Sequence, residues 1–340
     1  MFIRNAWYVA AWNRDLAKQL LPVRILGENI VLYRQTDGTP AALEDACVHR
    51  KLPLSMGRIH GDLVECGYHG LRFDGAGRCV HIPCADHIPR SASVKSYPLA
   101  VRYGLVWIWM GEAAAANPDD IVKVEHWDDA GWQKTAGDTM TVDCHYLYLT
   151  DNLLDPSHVA WVHRSSFGDA SCEATPVEVA AYDGGLHASR WMYNSEVAPL
   201  YRRFVAFDGA CDRLQRYSVR FPCHALVTAI FVPAGVPEPV ARRNGSAFIM
   251  DSYNLLTPVD EGRTRYFWFQ VHNASATDAD ASRALAEGVK GAFEEDRVIL
   301  NAVQRGFETS RSGHISIPID SAPLRFRRLV KQRIAAEAVR

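Results

Sequence analysis

The stretch from Cys47 to His69, CVHRKLPLSMGRIHGDLVECGYH, decides how the N-terminal part of the chain folds. Cys47-Val48-His49 is followed, sixteen residues later, by Cys66-Gly67-Tyr68-His69. Each short clip therefore mixes one thiolate with one imidazole. A Cys₂His₂ zinc finger runs C-x₂₋₄-C and then H-x₃₋₅-H, one donor type per clip, although Zn²⁺ itself accepts all four donors. Order and spacing, more than donor identity, carry the assignment here. Two thiolates on one iron and two neutral imidazoles on the other make a Rieske [2Fe-2S] centre, with a higher reduction potential than an all-Cys cluster. Such a centre implies one-electron chemistry.

Working outward, Gly67, Gly70, Gly75 and Gly77 punctuate strand-like runs, as expected where two hairpin tips approach a cluster. Residues 23 to 110 alternate short β-type runs, Ile30 to Tyr33, Leu63 to Cys66 and Val101 to Met110, with turns at Asp37-Gly38 and Gly75-Ala76-Gly77. This predicts an all-β module around the clips. The Pro-, Ala- and Asp-rich stretch Ala113 to Asp120 reads as a boundary, giving domains over 1–115 and 116–340.

The length of 340 residues suits about two domains, and 48% apolar with 22% charged residues is ordinary for a globular chain. A net charge of −2 and a pI near 6.7 give no basic field for nucleic acid. Eight cysteines are too scattered for a disulfide scaffold. Cys79, Cys84, Cys144, Cys172, Cys211 and Cys223 read as reduced packing residues. The first thirty residues hold no apolar h-region with a cleavage site, and no apolar run approaches the roughly 18 residues of a membrane helix. The expectation is a cytoplasmic protein with no membrane contact.

The second domain reads as irregular and helical from about 140 to 163. Strands follow at Leu186 to Tyr193, Arg216 to Phe221, Ala225 to Val232, Phe248 to Leu256 and Thr264 to Val271, then a helix from Ala279 to Phe307. A basic helix over Leu324 to Arg340 presents a solvated face. Between Asp151 and His163, thirteen residues hold two carboxylates, an amide and two imidazoles. Two His and one carboxylate with open positions form the facial triad of non-heme Fe(II) oxygenases. On the long helix, Leu285, Val289, Phe293, Leu300, Val303 and Phe307 define an apolar stripe, and Asp296 falls in its gap. A carboxylate on a buried face needs a partner or a metal, so Asp296 is a better ligand candidate than Glu294 or Glu295 on other faces. A buried Asp bonded to Arg or a backbone amide is the bland alternative.

His158 and His163 diverge by about 140° on an ideal helix. Pro156 and a helix end or π-type distortion would re-aim them, which predicts irregular backbone between Asp155 and His163. Asp155 lies three residues before His158, suited to fixing its tautomer and equally to capping the segment, two compatible roles.

The chain resembles the oxygenase components of Rieske non-heme iron aromatic oxygenases, in the branch of vanillate O-demethylase, dicamba O-demethylase and toluenesulfonate methyl-monooxygenase. The likeness spans nearly the whole length. It is carried by Arg4-Asn5-Ala6-Trp7-Tyr8-Val9-Ala10, both clips, Tyr68-His69-Gly70, Asp151-Asn152-Leu153-Leu154-Asp155 before His158, and Glu295-Asp296. The resemblance implies an α+β chain: a Rieske domain, then a helix-grip, START-like catalytic domain with an antiparallel sheet and long C-terminal helix, assembled as a homotrimer. Cys47, His49, Cys66 and His69 match cluster ligands; His158, His163 and Asp296 match ligands of a mononuclear Fe(II). Asn152 matches a residue beside that iron, and Asp155 the carboxylate that bridges an iron-ligating His to a neighbouring subunit's Rieske His, here His69.

The activity so implied is monooxygenation of a methyl or methoxy carbon of a small aromatic acid, using O₂ and electrons from NADH through a flavin/iron-sulfur reductase. Ring dihydroxylation, pure electron transfer and a zinc-stapled binding protein are the rival readings. Trp191, Tyr217, Phe231, Tyr253 and Trp268 are aromatic candidates for the pocket. His272-Asn273 departs from the Arg-Asn of several relatives. Arg50, Lys51 and Arg72 either dock a reductase or solubilise the surface.

Overall fold

A computed structural model describes residues 1–17, 19–83, 85–168, 171–274 and 279–338. The chain divides into two compact units, Met1–Val122 with Thr257–Glu261, and Lys123–Leu256 with Gly262–Arg340.

The first unit is built from short strands: β1 (Trp7–Trp12), β2 (Leu21–Ile25), β3 (Glu28–Arg34), β4 (Pro40–Glu44), β5 (Arg58–His60), β6 (Leu63–Glu65), β7 (Arg72–Phe73), β8 (Cys79–His81), β9 (Leu99–Arg102) and β10 (Leu105–Trp109). They form sheets of order β1-β10-β9, β2-β3-β4 and β5-β6-β7-β8. The expected all-β module is present. The continuous run expected from Val101 to Met110 is instead a hairpin. Tyr103 (φ 57°) and Gly104 (φ 72°) both take positive φ, which turns the chain between β9 and β10.

The two clips share one backbone design. The Cys47 N–H donates to the Leu52 carbonyl, and Lys51 N–H returns to the Cys47 carbonyl, both at 2.9 Å. Likewise Cys66 N–H donates to the Leu71 carbonyl at 2.8 Å, and Gly70 N–H to the Cys66 carbonyl at 3.1 Å. The residue four places after each cysteine, Lys51 or Gly70, has positive φ and closes the loop. Val31, Tyr33, Leu43, Leu54, Val64 and Phe73 form the apolar floor beneath both cysteines.

The second unit holds an eight-stranded sheet of order β11-β18-β17-β16-β15-β14-β13, with β12 also paired to β18. Its strands are β11 (Gln133–Lys134), β12 (Asp138–Val142), β13 (Glu178–Tyr182), β14 (Gly185–Ser195), β15 (Cys211–Arg220), β16 (His224–Pro233), β17 (Phe248–Asp260) and β18 (Arg263–His272). Residues 257–260, at the end of β17, are counted with the first unit. The helices are α1 (Tyr146–Asn152), α2 (Val159–Val162), α3 (Ser171–Ala174), α4 (Glu238–Asn244), α5 (Ala279–Thr309) and α6 (Ser321–Ala338). The five expected strands lie on β14 to β18.

Helix α5 packs on the sheet through Phe293, whose ring centroid is 5.0 Å from that of Tyr266 and 5.3 Å from that of Trp268. Leu285, Val289 and Leu300 are buried as the stripe predicts. Phe307 departs from it: the side chain is 50% exposed and stacks on Tyr148, because the stripe outruns the sheet. The basic face of α6 is not wholly solvated either, since Arg327 Nε donates to both oxygens of Asp151 at 3.0 and 2.9 Å. Cys79, Cys144, Cys172, Cys211 and Cys223 are buried thiols outside any disulfide; Cys84 lies outside the described residues. Among the described residues no helix is long and apolar enough to cross a membrane.

Candidate metal centres and cavity

At the clips, Cys47 and Cys66 are buried while His49 and His69 reach the surface, with imidazole centroids 4.6 Å apart. Burial is the main cause holding the Cys47 thiol above its ordinary range, and neighbouring Cys66 adds to it; backbone N–H groups of His49 and Arg50 pull the other way. Two adjacent buried thiols are poor thiolates alone and good ones against a cation. A single tetrahedral Zn²⁺ would draw all four donors to within about 4 Å of one another, given bonds of 2.0–2.3 Å. Among the described residues the set of three or more donors that close is His158, His163 and Asp296, not the clips.

The turn beneath the clips is tied down by Asp45, whose carboxylate accepts from Ser55 N–H at 2.7 Å and from Ser55 Oγ at 2.6 Å. Arg72 donates to Glu65 at 2.7 Å, and Arg58 also pairs with that carboxylate. Arg72 is thus committed within the unit, whereas Arg50 and Lys51 are exposed.

The second centre is assembled from three elements. After α1 the chain runs irregularly from Leu153 to Ser157, then makes one helical turn, α2. His158 sits at its N-terminal end and His163 at its C-terminal end, with φ −110° and ψ 37°. The expectation of irregular backbone from Asp155 to His163 is corrected in part: it holds up to Ser157, but Val159–Val162 is helical, and the two imidazoles converge through their side chains from the ends of that turn. Their ring centroids are 5.2 Å apart. From α5, Asp296 Oδ1 lies 3.3 Å from His163 Nε2 and 3.7 Å from His158 Nε2, and the candidate donor atoms of the three residues all fall within 4.8 Å of one another.

The remaining nitrogens are anchored. His158 Nδ1 bonds to the Asp155 carbonyl, and His163 Nδ1 to Glu295 Oε2 at 2.7 Å. The expectation that the Asp155 carboxylate fixes His158 is thereby corrected: the main-chain oxygen does so, while Oδ1 caps Ser157 N–H at 2.7 Å. Glu295 does not face elsewhere on α5, as its helical position suggests, but meets the same imidazole as Asp296. Adjacent residues on a helix point about 100° apart, yet one imidazole is wide enough to meet both. Burial works against protonation of His163, but Asp296 and Glu295 outweigh it and hold the imidazole above its usual range. A metal ion would take the place of that proton.

Asn152, from α1, donates Nδ2–H to Asp296 Oδ1 at 3.0 Å. Its own Oδ1 is buried with no protein partner among the described residues, an acceptor left over beside the triad. A buried carboxylate, two inward imidazoles and a spare amide oxygen fit an Fe(II) with open positions. Asp151, the other carboxylate expected near the site, is held by Arg327 instead.

The triad lines a cavity together with Phe167, Tyr201, Arg213, Gln215, Tyr217 and Met250, among others. Of the five aromatic candidates only Tyr217 is there. Phe231, Tyr253 and Trp268 are buried in the core, and Trp191 packs on the cluster around Leu214. Arg213 and Gln215 escaped the sequence reading because alternation along β15 does not distinguish a cavity wall from a solid core. His272 is not in the cavity wall; it is buried against Ser282, with Nε2 to Oγ at 3.1 Å.

A mixed thiolate–imidazole module followed by a sheet-and-helix unit with a His₂-carboxylate cavity defines a Rieske-type non-heme iron oxygenase component. Residues 6–98 match the Rieske [2Fe-2S] domain, and residues 142–336 match the vanillate O-demethylase oxygenase C-terminal domain. The chain belongs to this family. It is 38% identical over 309 residues to the toluene-4-sulfonate monooxygenase system iron-sulfur subunit of Comamonas testosteroni, covering 90% of this chain and 89% of that one. It is 34% identical over 309 residues to the dicamba O-demethylase oxygenase component of Stenotrophomonas maltophilia, covering 89% and 88%. The crystal structure of dicamba monooxygenase bound to dicamba is similar with a TM-score of 0.89 at 31% identity, covering 100% of this chain and 99% of that one.

Proposed function

We propose that the protein is the oxygenase component of a monooxygenase that hydroxylates a methyl or methoxy carbon of an aromatic acid, with O₂ and electrons passed from NADH by a separate flavin/iron-sulfur reductase. The observation that carries this reading is the closure of His158, His163 and Asp296 in the wall of an otherwise largely apolar cavity. When bound, the cluster supplies electrons singly and the mononuclear iron supplies O₂ activation. Cys47 and Cys66 would hold one cluster iron and His49 and His69 the other; His158, His163 and Asp296 would hold the Fe(II).

The chain's own contribution is placement. The Asp155 carbonyl and the Glu295 carboxylate set the two imidazole tautomers, so that Nε2 faces the metal position in each. Asn152 orients Asp296. Phe167, Tyr217 and Met250 exclude water from the substrate.

A cyclic homotrimer completes the reading, with Asp155 meeting His69 of the partner subunit across a head-to-tail interface that closes on itself. Two exposed aromatics support it: Tyr68, beside His69 with ring centroids 3.9 Å apart, and Trp161 on α2, 59% exposed. A cytoplasmic location, where NADH is supplied, fits the same reading.

Turnover with a reductase, NADH and ¹⁸O₂ on methyl- and methoxy-substituted benzoates and benzenesulfonates tests the activity. One labelled oxygen in a hydroxymethyl product, or formaldehyde formed in step with a phenol, is expected. A ring diol carrying two labelled oxygens would assign dihydroxylation instead, and a reducible cluster without product would assign electron transfer.

A further inference from the structure

Strand β15 turns Arg213, Gln215 and Tyr217 to the cavity at period two. Gln215, 2% exposed, is held in one orientation by Arg190 on the neighbouring β14, whose Nε donates to Gln215 Oε1 at 2.9 Å. A guanidinium has no acceptor, so this contact fixes which end of the carboxamide is oxygen. The amide nitrogen is left on the cavity side, and among the described residues it meets no protein acceptor. Arg190 is itself 4% exposed and rigidly held: Nη2 donates to the Pro156 carbonyl at 2.8 Å, and Nη1 to the carbonyls of Cys172 and Thr175. One guanidinium thereby ties the turn before His158 to the wall opposite.

Arg213, 1% exposed, lines the same wall but is engaged within the fold, donating to the Phe167 carbonyl at 3.0 Å and lying 5.0 Å over the Phe231 ring. Ser252 Oγ accepts from Gln270 Nε2 at 3.0 Å, which leaves its hydroxyl hydrogen for the cavity. Thr228, also in the lining, donates its hydroxyl hydrogen to Asp251 at 2.6 Å. On this wall Gln215 and Ser252 thus offer donors to a ligand. Donors in a low-dielectric site match a group that accepts.

We propose that Gln215, fixed by the positioning residue Arg190, forms with Ser252 an anion-reading wall that binds the carboxylate or sulfonate of the substrate and aims its opposite end at the His158–His163–Asp296 centre. This deepens the aromatic-acid reading and rests on it.

Binding to the anaerobic holoenzyme, followed by calorimetry, tests the wall with 4-methoxybenzoate and 4-methylbenzenesulfonate against their neutral amides. The wild type is expected to favour the acids by about tenfold or more, the scale of a charge-assisted contact in a buried site. Gln215→Glu still accepts from Arg190 but turns a carboxylate oxygen to the cavity, so acid binding should fall by about tenfold or more while amide binding holds. Gln215→Met, of similar volume, should lose the preference without reversing it. Arg190→Lys should raise KM for the acids more than it lowers kcat, with iron content kept. Wild-type-like acid binding by both Gln215 variants would overturn the wall alone. Wild-type enzyme that is loaded with iron yet binds neither acids nor amides would overturn the aromatic-acid reading, and the wall with it.

Discussion

Glu295 accepts from Nδ1 of His163 at 2.7 Å, while the next residue, Asp296, faces the other ring nitrogen at 3.3 Å. Two consecutive residues of α5 thereby grip one imidazole from both sides. Glu295→Gln should keep the fold and weaken iron binding by about 10- to 100-fold, the usual cost of losing a carboxylate behind a metal-bound His. Competition with a graded Fe(II) chelator measures it. Unchanged affinity would mean that the contact is incidental.

Asn152 links α1 to Asp296 through a single hydrogen bond of 3.0 Å. Asn152→Ala should leave global stability within about 1.5 kcal/mol, the net worth of one hydrogen bond. Its effect should fall on the site: a slower rate and a changed EPR signal of the Fe(II)–nitric oxide complex, with cluster absorption intact. A variant with wild-type turnover and spectrum would remove Asn152 from the site.

Gly57 lies between the two clips, where an added Cβ would stand 2.0 Å from the Glu65 carbonyl oxygen. That neighbour is backbone of the strand leading into Cys66, so it cannot swing aside. Gly57→Ala should cost about 1–3 kcal/mol or more in overpacking and lower the acid-labile sulfide recovered per chain. Full sulfide with an unchanged melting temperature would contradict the close approach.

His272 is 1% exposed, and burial pushes its imidazole from 6.5 down to about 4. The folded state keeps it neutral, whereas the unfolded chain takes up a proton below about pH 6.5. Its stabilising contribution is complete above that pH and is lost as pH falls toward 4. Between pH 7.5 and 5 the wild type should lose about 2 kcal/mol more than His272→Gln in urea unfolding, if melting is two-state. Equal losses would show that His272 titrates normally.

Much of this was legible in the residues themselves. The clips were readable because donor order is a chemical signature, and the strands because β-branched and aromatic runs are bounded by turns. His158, His163 and Asp296 were readable by donor type and by the stripe on α5. The pairing of Glu295 with His163 was not, since a helical wheel gives directions but no ring widths. Nor was the matched design of the clips, because Lys51 takes a positive φ with no local signal for it. Arg190, Arg213 and Gln215 lie in strands whose alternation says which face is inward but not that a cavity opens there. The carbonyl of Asp155 carries no side-chain signature at all.

The central claim is that one chain carries both a two-iron cluster and a separate mononuclear iron. Iron and acid-labile sulfide counted together on anaerobically purified protein, wild type beside Asp296→Asn, test it most directly. The account predicts about three irons and about two sulfides per wild-type chain, falling to about two irons with sulfide unchanged in the variant. Equal iron and sulfide in wild type even after Fe(II) addition, or zinc without sulfide, would contradict it.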